Sequence, residues 1–492
     1  MTSDREQQHG TPVVYGPVTT PPVKDATALL VHSLSGVLEA ADERDPRGCS
    51  VPMLVLLSLP RMAINMAWAA QWAGLGPYLG TLLPPYAVQL TQVIGPLSGI
   101  LVAPTVGVLS DRSTNRWGRR RPLLLFGAVS SALCWTLMGF TRELGALLGD
   151  DDAGDGARFW TSLLTVVLYT WMDVTVNLVQ TPAILLIADF AGDRQTLGAG
   201  IGQASSTLGS ILIAGYIYCF GAAHLTLRWF LAMLSATMLA TVGLVCAFAH
   251  EAPRAKSAHD DLRTKSRRIA SAFAAIARGL RTLPRVLVVF CVVFFAVQYG
   301  FTAYNGSKGQ FFGVEVFDGD AHNAGACRDA CSPAQRRYNE GVQLAGGLAD
   351  MAFNVVGYLY SWLLPLVVGR LGARWTMTLG AVPQTLLMAM AFSQCVPLNV
   401  AIVALTAVTQ ATSFALIVPL LIHVFGDGAD VGMYVGAVNS ANCLGQLLNF
   451  VASAALVETA LGYRLPVFVG GVVSFLGVVT SVLFFKVKMH SM

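Results

Sequence analysis

The sequence predicts an all-α membrane protein of about twelve transmembrane helices in two six-helix halves, and three observations carry that prediction. Of 492 residues, 54% are hydrophobic and only 12% are charged, whereas a soluble domain carries roughly 25% charged residues. The charges leave apolar runs of about 20 residues, the length that crosses a bilayer core of about 30 Å. The runs fall as six, a charged break, and six more.

Taken in order, the apolar runs predict spans at 52–74, 86–109, 121–140, 160–188, 198–220 and 226–249, then at 285–306, 341–368, 375–393, 398–422, 432–456 and 463–486. Residues 1–51 are polar, mixed in charge and proline-bearing at Pro12, Pro17, Pro21 and Pro22. They read as a disordered cytoplasmic tail with no cleavable signal, because no apolar core follows a basic start. Residues 52–249 form the first half, 250–284 a linker, 285–486 the second half and 487–492 a short cytoplasmic tail. Within the linker, Ile269, Phe273, Ile276, Leu280 and Leu283 recur at helical spacing among Arg267, Arg268, Arg278 and Arg281. That pattern predicts an amphipathic helix in the headgroup region, acting as a connector between the halves.

Arginine and lysine set the expected orientation, since positively charged loops stay in the cytoplasm. Arg112, Arg116, Arg119, Arg120 and Arg121 follow span 2; Arg254, Lys256, Arg263 and Lys265 lie in the linker; Arg370 and Arg374 follow span 8. All fall on one side if both termini are cytoplasmic, while Asp150, Asp151, Asp152 and Asp155 fall on the other.

The segment Gly107-Val-Leu-Ser-Asp-Arg-Ser-Thr-Asn-Arg-Trp-Gly-Arg-Arg-Arg-Pro122 resembles the span 2–3 loop of the major facilitator superfamily, and more narrowly the form found in sucrose transporters and their animal relatives. Trp68-Ala69, Gln71 and Pro77-Tyr78 in span 1, Gly95-Pro-Leu-Ser-Gly99 in span 2, and Gly436-Ala-Val-Asn439 in span 11 extend the resemblance. So do Asp173, Asn177, Gln180, Pro182 and Ala188-Asp189 in span 4. The resemblance implies the major facilitator fold, alternating access and proton-coupled transport of sucrose or a related saccharide. It also implies a gate in which Asp111, Arg112, Arg119 and Arg120 take part. Asp189, near the cytoplasmic end of span 4, is expected to pair with Arg119 or Arg120 there, an exposed helix-end acid being the alternative. Two features depart from the family. Ala303-Tyr-Asn-Gly-Ser-Lys-Gly-Gln310 has a lysine and no acid where sucrose transporters carry an acidic motif. Gln195-Thr-Leu-Gly198 stands where they have an arginine.

Ionisable groups inside a span are expensive, about 2.5–3.5 kcal/mol at a helix centre on insertion scales, so each requires a reason. Asp173 shares a helix face with Asn177 and Gln180, which marks it as a candidate proton carrier; a structural bond to a neighbouring helix is the alternative. Asp350 lies within span 8 beside Gly346 and Gly347. It is a second proton-coupling candidate, or a partner for a cation such as Arg61. Hydroxyl-rich solutes need paired donors and acceptors, which amides supply. Asn65, Gln71, Asn177, Gln180, Gln298, Asn439 and Asn442, with Tyr304 and the ring of Trp68, are therefore candidate sugar contacts. Cys327 and Cys331 in the loop between spans 7 and 8 are a disulfide or two free thiols.

No metal-ligand spacing, nucleotide loop or nucleophile motif is present, so the expectation is a non-enzyme with no cofactor, protons being the coupling ion. The basic residues are explained by topology rather than by nucleic acid. The expected partners are a small solute, a sugar by resemblance, and the bilayer. Asp25-Ala-Thr-Ala-Leu29-Leu30 resembles a dileucine sorting signal, but a plasma-membrane address is favoured over a vacuolar or endolysosomal one. Two other readings stay open: a facilitator or exporter of another solute, and a membrane sensor on the same scaffold.

Overall fold

The computed structural model describes residues 48–111, 113, 115–150, 158–251, 270, 273–274, 277–327, 331–425 and 431–489. Residues 1–47 of the expected N-terminal tail, with its dileucine-like signal, Arg112 and most of the linker lie outside these residues. Of the predicted linker helix, Ala270, Phe273, Ala274 and residues 277–281 are helical.

Among the described residues, ten helical runs are long and apolar enough to cross a membrane. The first six are α1 (Val51–Gly80), α2 (Pro85–Ser110), α3 (Arg121–Gly139), α4 (Phe159–Ala191), α5 (Gln195–Phe220) and α6 (Leu227–Phe248). The second half begins with α7 (Arg285–Asn305). The 58-residue run Pro333–Met390 breaks at Gly372, whose φ of 75° only glycine adopts at little cost. It is therefore two passes, α8 (333–371) and α9 (373–390). Then come α10 (Val396–Phe425), α11 (Val431–Leu456, not among the ten runs) and α12 (Arg464–Phe484). The result is the twelve passes expected from the apolar runs.

Local chemistry sets several boundaries. Ser332 and Gln335 form a reciprocal capping box that starts α8. Asp150 accepts from the backbone N–H groups of Trp160 (2.9 Å) and Thr161 (2.7 Å) at the start of α4. Glu251 does the same for α3, accepting from the N–H of Arg120 (2.9 Å) and Arg121 (3.0 Å). A carboxylate there satisfies donors that have no partner inside the helix and opposes the helix dipole.

The apolar interior divides with the two halves except for a small cluster in which Ala222 packs with Ala324, Tyr338 and Val342. One cluster joins Leu57, Trp135, Tyr169, Phe230 and Met238; others in the second half gather around Phe290, Phe294 and Phe485, and around Phe311, Phe312 and Val467. Small residues bring the helices close, as expected where lipid supplies no hydrophobic drive between them. A Cβ on Gly209 would stand 2.3 Å from the Met62 carbonyl, so α5 lies directly against α1.

Hydrogen bonds place the helix ends on two faces. Cys49 N–H donates to Phe190 O (2.9 Å), putting the start of α1 beside the end of α4, on the face that carries Arg119 to Arg121 and Glu251. On the opposite face, Tyr86 N–H donates to Glu458 (3.1 Å), Gln343 to Tyr218 O (3.0 Å), Gln310 to Gly76 O (2.8 Å) and Tyr338 to Pro77 O (3.3 Å). His224 Nε2 lies 2.6 Å from Asn339 Oδ1 there. Among the described residues, these bonds between the halves gather at the face opposite the arginines.

Candidate functional site

The polar centre of the first half is built where α1, α2 and α4 meet. Asp173 is fully buried on α4. Its Oδ1 accepts from Gln71 Nε2 (3.0 Å), and the same amide donates to Tyr169 Oη (2.9 Å). Tyr169 lies one turn before Asp173, so both face α1. Gly95 of α2 closes the third side: a Cβ there would sit 3.6 Å from Gln71 Nε2 and 3.8 Å from Asp173 Oδ1. One turn further on, Asn177 donates to Ser98 Oγ (3.0 Å) and to the Asp173 carbonyl (2.9 Å). Two buried atoms in this cluster, Asp173 Oδ2 and Gln71 Oε1, have no protein partner.

Gln71 also opens a π-helical turn, Gln71–Leu75, at the head of the short helix Gly76–Gly80. Such turns are rare and occur often at functional sites. A comparable turn at Leu344–Ala349 delivers Asp350 in α8. Asp350 Oδ2 meets Lys308 Nζ at 2.5 Å, and Lys308 also donates to Asn305 Oδ1 (3.0 Å). Lys308 is 3% exposed. The considered pairing with Arg61 does not form. Arg61 instead reaches Gln203 Oε1 at 3.4 Å, because Lys308, just past the end of α7, stands directly before the turn that carries Asp350.

The candidate sugar contacts separate by what they already touch. Asn65 donates to Ser206 O and Ser210 Oγ, both at 2.6 Å, and Trp68 Nε1 donates to Gln180 Oε1 at 2.6 Å. Gln298 donates to Gln410 (3.0 Å), which donates to Gln384 (3.0 Å), a chain linking α7, α10 and α9. These side chains join helices. On α11, Asn442 donates to Asn439 (3.1 Å) and accepts from Gln446 (2.8 Å); Asn439 is exposed and Asn442 half-buried. Tyr304 is buried and its hydroxyl has no protein partner.

At the arginine face, Asp189 takes two cations: Arg119 Nη2 at 2.9 Å and Arg120 Nε at 3.0 Å. Arg120 also donates to Ser110 Oγ (2.7 Å), tying α2, α3 and α4 together. The side chain of Asp111 and all of Arg112 lie outside the described residues. Cys327 and Cys331 are joined in a disulfide.

Sequence reasoning passed over Tyr169, Lys308 as a partner, Glu251, Gln310, Tyr338 and the His224–Asn339 pair. Tyr169 was within reach of the sequence, four residues before Asp173 on the same helix face. The others depend on contacts between distant segments. On the face opposite the arginines, burial pushes the His224 imidazole down to about 4; its bond to Asn339 opposes this and the nearby Arg142 adds to it.

Comparison with known proteins agrees with this architecture. The family model described as MFS/sugar transport protein matches residues 59–312. The chain is 29% identical over 358 residues to the sucrose transport protein SUT1 of Oryza sativa subsp. japonica, covering 66% of this chain and 63% of that relative. It thus spans less than two thirds of the relative's length. It is 33% identical to the sucrose transport protein SUC3 of Arabidopsis thaliana over 163 residues, 32% of this chain and 27% of that one. Among solved structures, a D-xylose-proton symporter aligns over 89% of this chain and 98% of its own with a TM-score of 0.58 at 15% identity. The nucleoside transporter NupG aligns over 88% and 100% with a TM-score of 0.62 at 15% identity. The structural likeness is one of fold, and the family match covers half the chain, including every element around Asp173: this multi-pass membrane protein belongs to the MFS/sugar transport protein family.

Proposed function

We propose that this chain carries a sugar of the sucrose class across a membrane together with a proton, by alternating access about a midplane site between its two halves. The observation that carries the reading is Asp173, a buried carboxyl whose side-chain partner is a neutral amide. Among the described residues no cation pairs with it. A carboxyl without a fixed counter-charge can gain and lose a proton during a cycle; one paired with a lysine already has a counter-charge beside it. Asp350 is of the second kind, so we assign proton coupling to Asp173 and charge compensation within the second half to Lys308–Asp350. Sugar as the substrate is supported by the relatives named sucrose transport proteins.

The arginine face is assigned to the cytoplasm on the charge rule, which puts both termini there, and the plasma membrane is the address we favour. In that orientation the bonds between the halves close the outer face, an inward-facing arrangement. Protons entering down a potential of 100 mV contribute about 2.3 kcal/mol each to accumulation. A facilitator is the second reading, favoured by the lysine-clamped acid in the second half.

The test is uptake of radiolabelled sucrose, maltose and glucose by transporter-deficient yeast expressing the chain, at pH 5 and pH 7.5, with Asp173→Asn alongside. Uptake that rises at pH 5 and collapses in the variant supports the symporter. Flux indifferent to pH and to the substitution supports the facilitator and overturns the assignment of Asp173.

A further inference from the structure

We infer that Gln71 is a positioning residue that relays the charge of Asp173 to the closure of the outer face, an inference that rests on the proton-coupled reading above. The geometry has three connected parts. The first is the amide itself, whose Nε2 spans Asp173 Oδ1 (3.0 Å) and Tyr169 Oη (2.9 Å). An ionised carboxylate accepts this bond at Oδ1 and has no hydrogen to offer Gln71 Oε1.

The second part is the pair of buried atoms without a protein partner, Gln71 Oε1 and Asp173 Oδ2. They are the two atoms that a neutral Asp173 puts to use. When the carboxylate takes up one proton, it gains an O–H donor, and rotation of the Gln71 amide presents Oε1 to accept it. That rotation carries Nε2 away from Tyr169. No covalent bond other than the O–H changes, and the proton leaves by the reverse step.

The third part is where Gln71 stands. It begins the π-helical turn Gln71–Leu75, and the residues immediately after it, Gly76 and Pro77, supply the carbonyls that accept from Gln310 (2.8 Å) and Tyr338 (3.3 Å) of the other half. A π-helical turn holds its hydrogen bonds one residue out of α register. A change at its first side chain therefore alters the rotation of the segment that carries those carbonyls. The titratable groups that face Asp173 are Tyr169 on its own helix and Cys134 on α3; from α1 the facing group is the Gln71 amide, and from α2 it is Gly95.

The experiment uses full-length protein in proteoliposomes, with net uptake of radiolabelled sucrose into sugar-free vesicles and a trapped pH dye giving protons moved per sucrose. Gln71→Leu is expected to move at least ten-fold fewer protons per sucrose in whatever flux survives. Gln71→Asn, which keeps an amide, is expected to fall between Leu and wild type. Should Gln71→Leu fail to fold, Gln71→Met, of similar length and without an N–H, is expected to show the same loss. Wild-type proton-to-sucrose ratios in Leu or Met overturn the inference, as does equal loss of net uptake and of coupling in all three variants. A wild-type protein that takes up sucrose in net flux without moving protons overturns the proton-coupled reading itself, which distinguishes that failure from this one.

Discussion

Lys308 and Asp350 form a buried ion pair 2.5 Å apart, joining the segment after α7 to α8, and Asn305 shares the ammonium. Lys308 stands where the resembled sucrose transporters carry acids, so the altered motif and the unexpected carboxylate in span 8 are two halves of one interaction. Removing one partner of a buried pair strands a charge, a loss of about 3–5 kcal/mol, whereas replacing both with apolar groups is often near neutral. Lys308→Met and Asp350→Leu alone are each expected to lower the thermal unfolding midpoint of the detergent-solubilised protein strongly. The double variant is expected to recover most of that loss. Equal damage in the single and double variants would show that the pair is needed for something beyond charge compensation.

The two arginines on Asp189 are not equivalent. The Arg119 side chain is 39% exposed and that of Arg120 only 4%. An exposed pair contributes about 0–1 kcal/mol, while removing one partner of a buried, hydrogen-bonded pair costs about 3–5 kcal/mol. Arg120 also holds Ser110 of α2. Arg120→Ala is therefore expected to lose most transport and several degrees of thermal stability, with Arg119→Ala close to wild type in stability. Thermal unfolding and uptake measured on the same preparations check the ordering.

Gly309 faces Pro77 across the outer contact, and a Cβ at Gly309 would stand 2.4 Å from Pro77 Cγ. The proline ring has little freedom to yield, so Gly309→Val is expected to hold the outer face open. Uptake should fall at least ten-fold while expression and thermal stability stay near wild type. A maleimide probe applied from outside should label a cysteine placed at Leu82 faster in the variant. Unchanged labelling would mean that the halves do not need to close at this point.

The fold was legible because twelve apolar runs and clustered arginines are direct consequences of the bilayer as solvent. The site was legible in part. Asp173 and Gln71 announce themselves as polar groups within apolar spans, and Asp189 sits at the end of its helix within reach of the arginine loop. What they bond was not legible. Asn65, Trp68, Gln180 and Gln298 look like sugar contacts by residue type, yet their partners are Ser206, Ser210, Gln410 and each other. Residue type shows that a polar group needs a partner inside the membrane; only the packing of distant helices decides whether that partner is protein. Lys308 illustrates the same limit, since its acid lies 42 residues away.

His224 gives the outer face a pH dependence whose sign follows from its surroundings. It is buried between the halves, with Nε2 2.6 Å from Asn339 and its ring beside Tyr338, and Arg142 is the nearby cation. Burial lowers its pKa to about 4 in this closed arrangement, whereas opening the outer face to water returns it towards about 6.5. Above about pH 6.5 both forms are neutral and closure keeps its full strength. Between about 6.5 and 4 only the open form takes a proton, so closure weakens as the outside acidifies, by about 2 kcal/mol at pH 5. Spin labels at the exposed positions Pro85 and Ala460, in a background with the free cysteines replaced, read the separation of the halves. Acidification from pH 7.5 to 5 is expected to raise the open population in the wild type. His224→Gln keeps a donor for Asn339 but has no proton to gain in this range, so it is expected to remove most of that rise. An identical response in both proteins would assign the acid sensitivity of the outer face to groups other than His224.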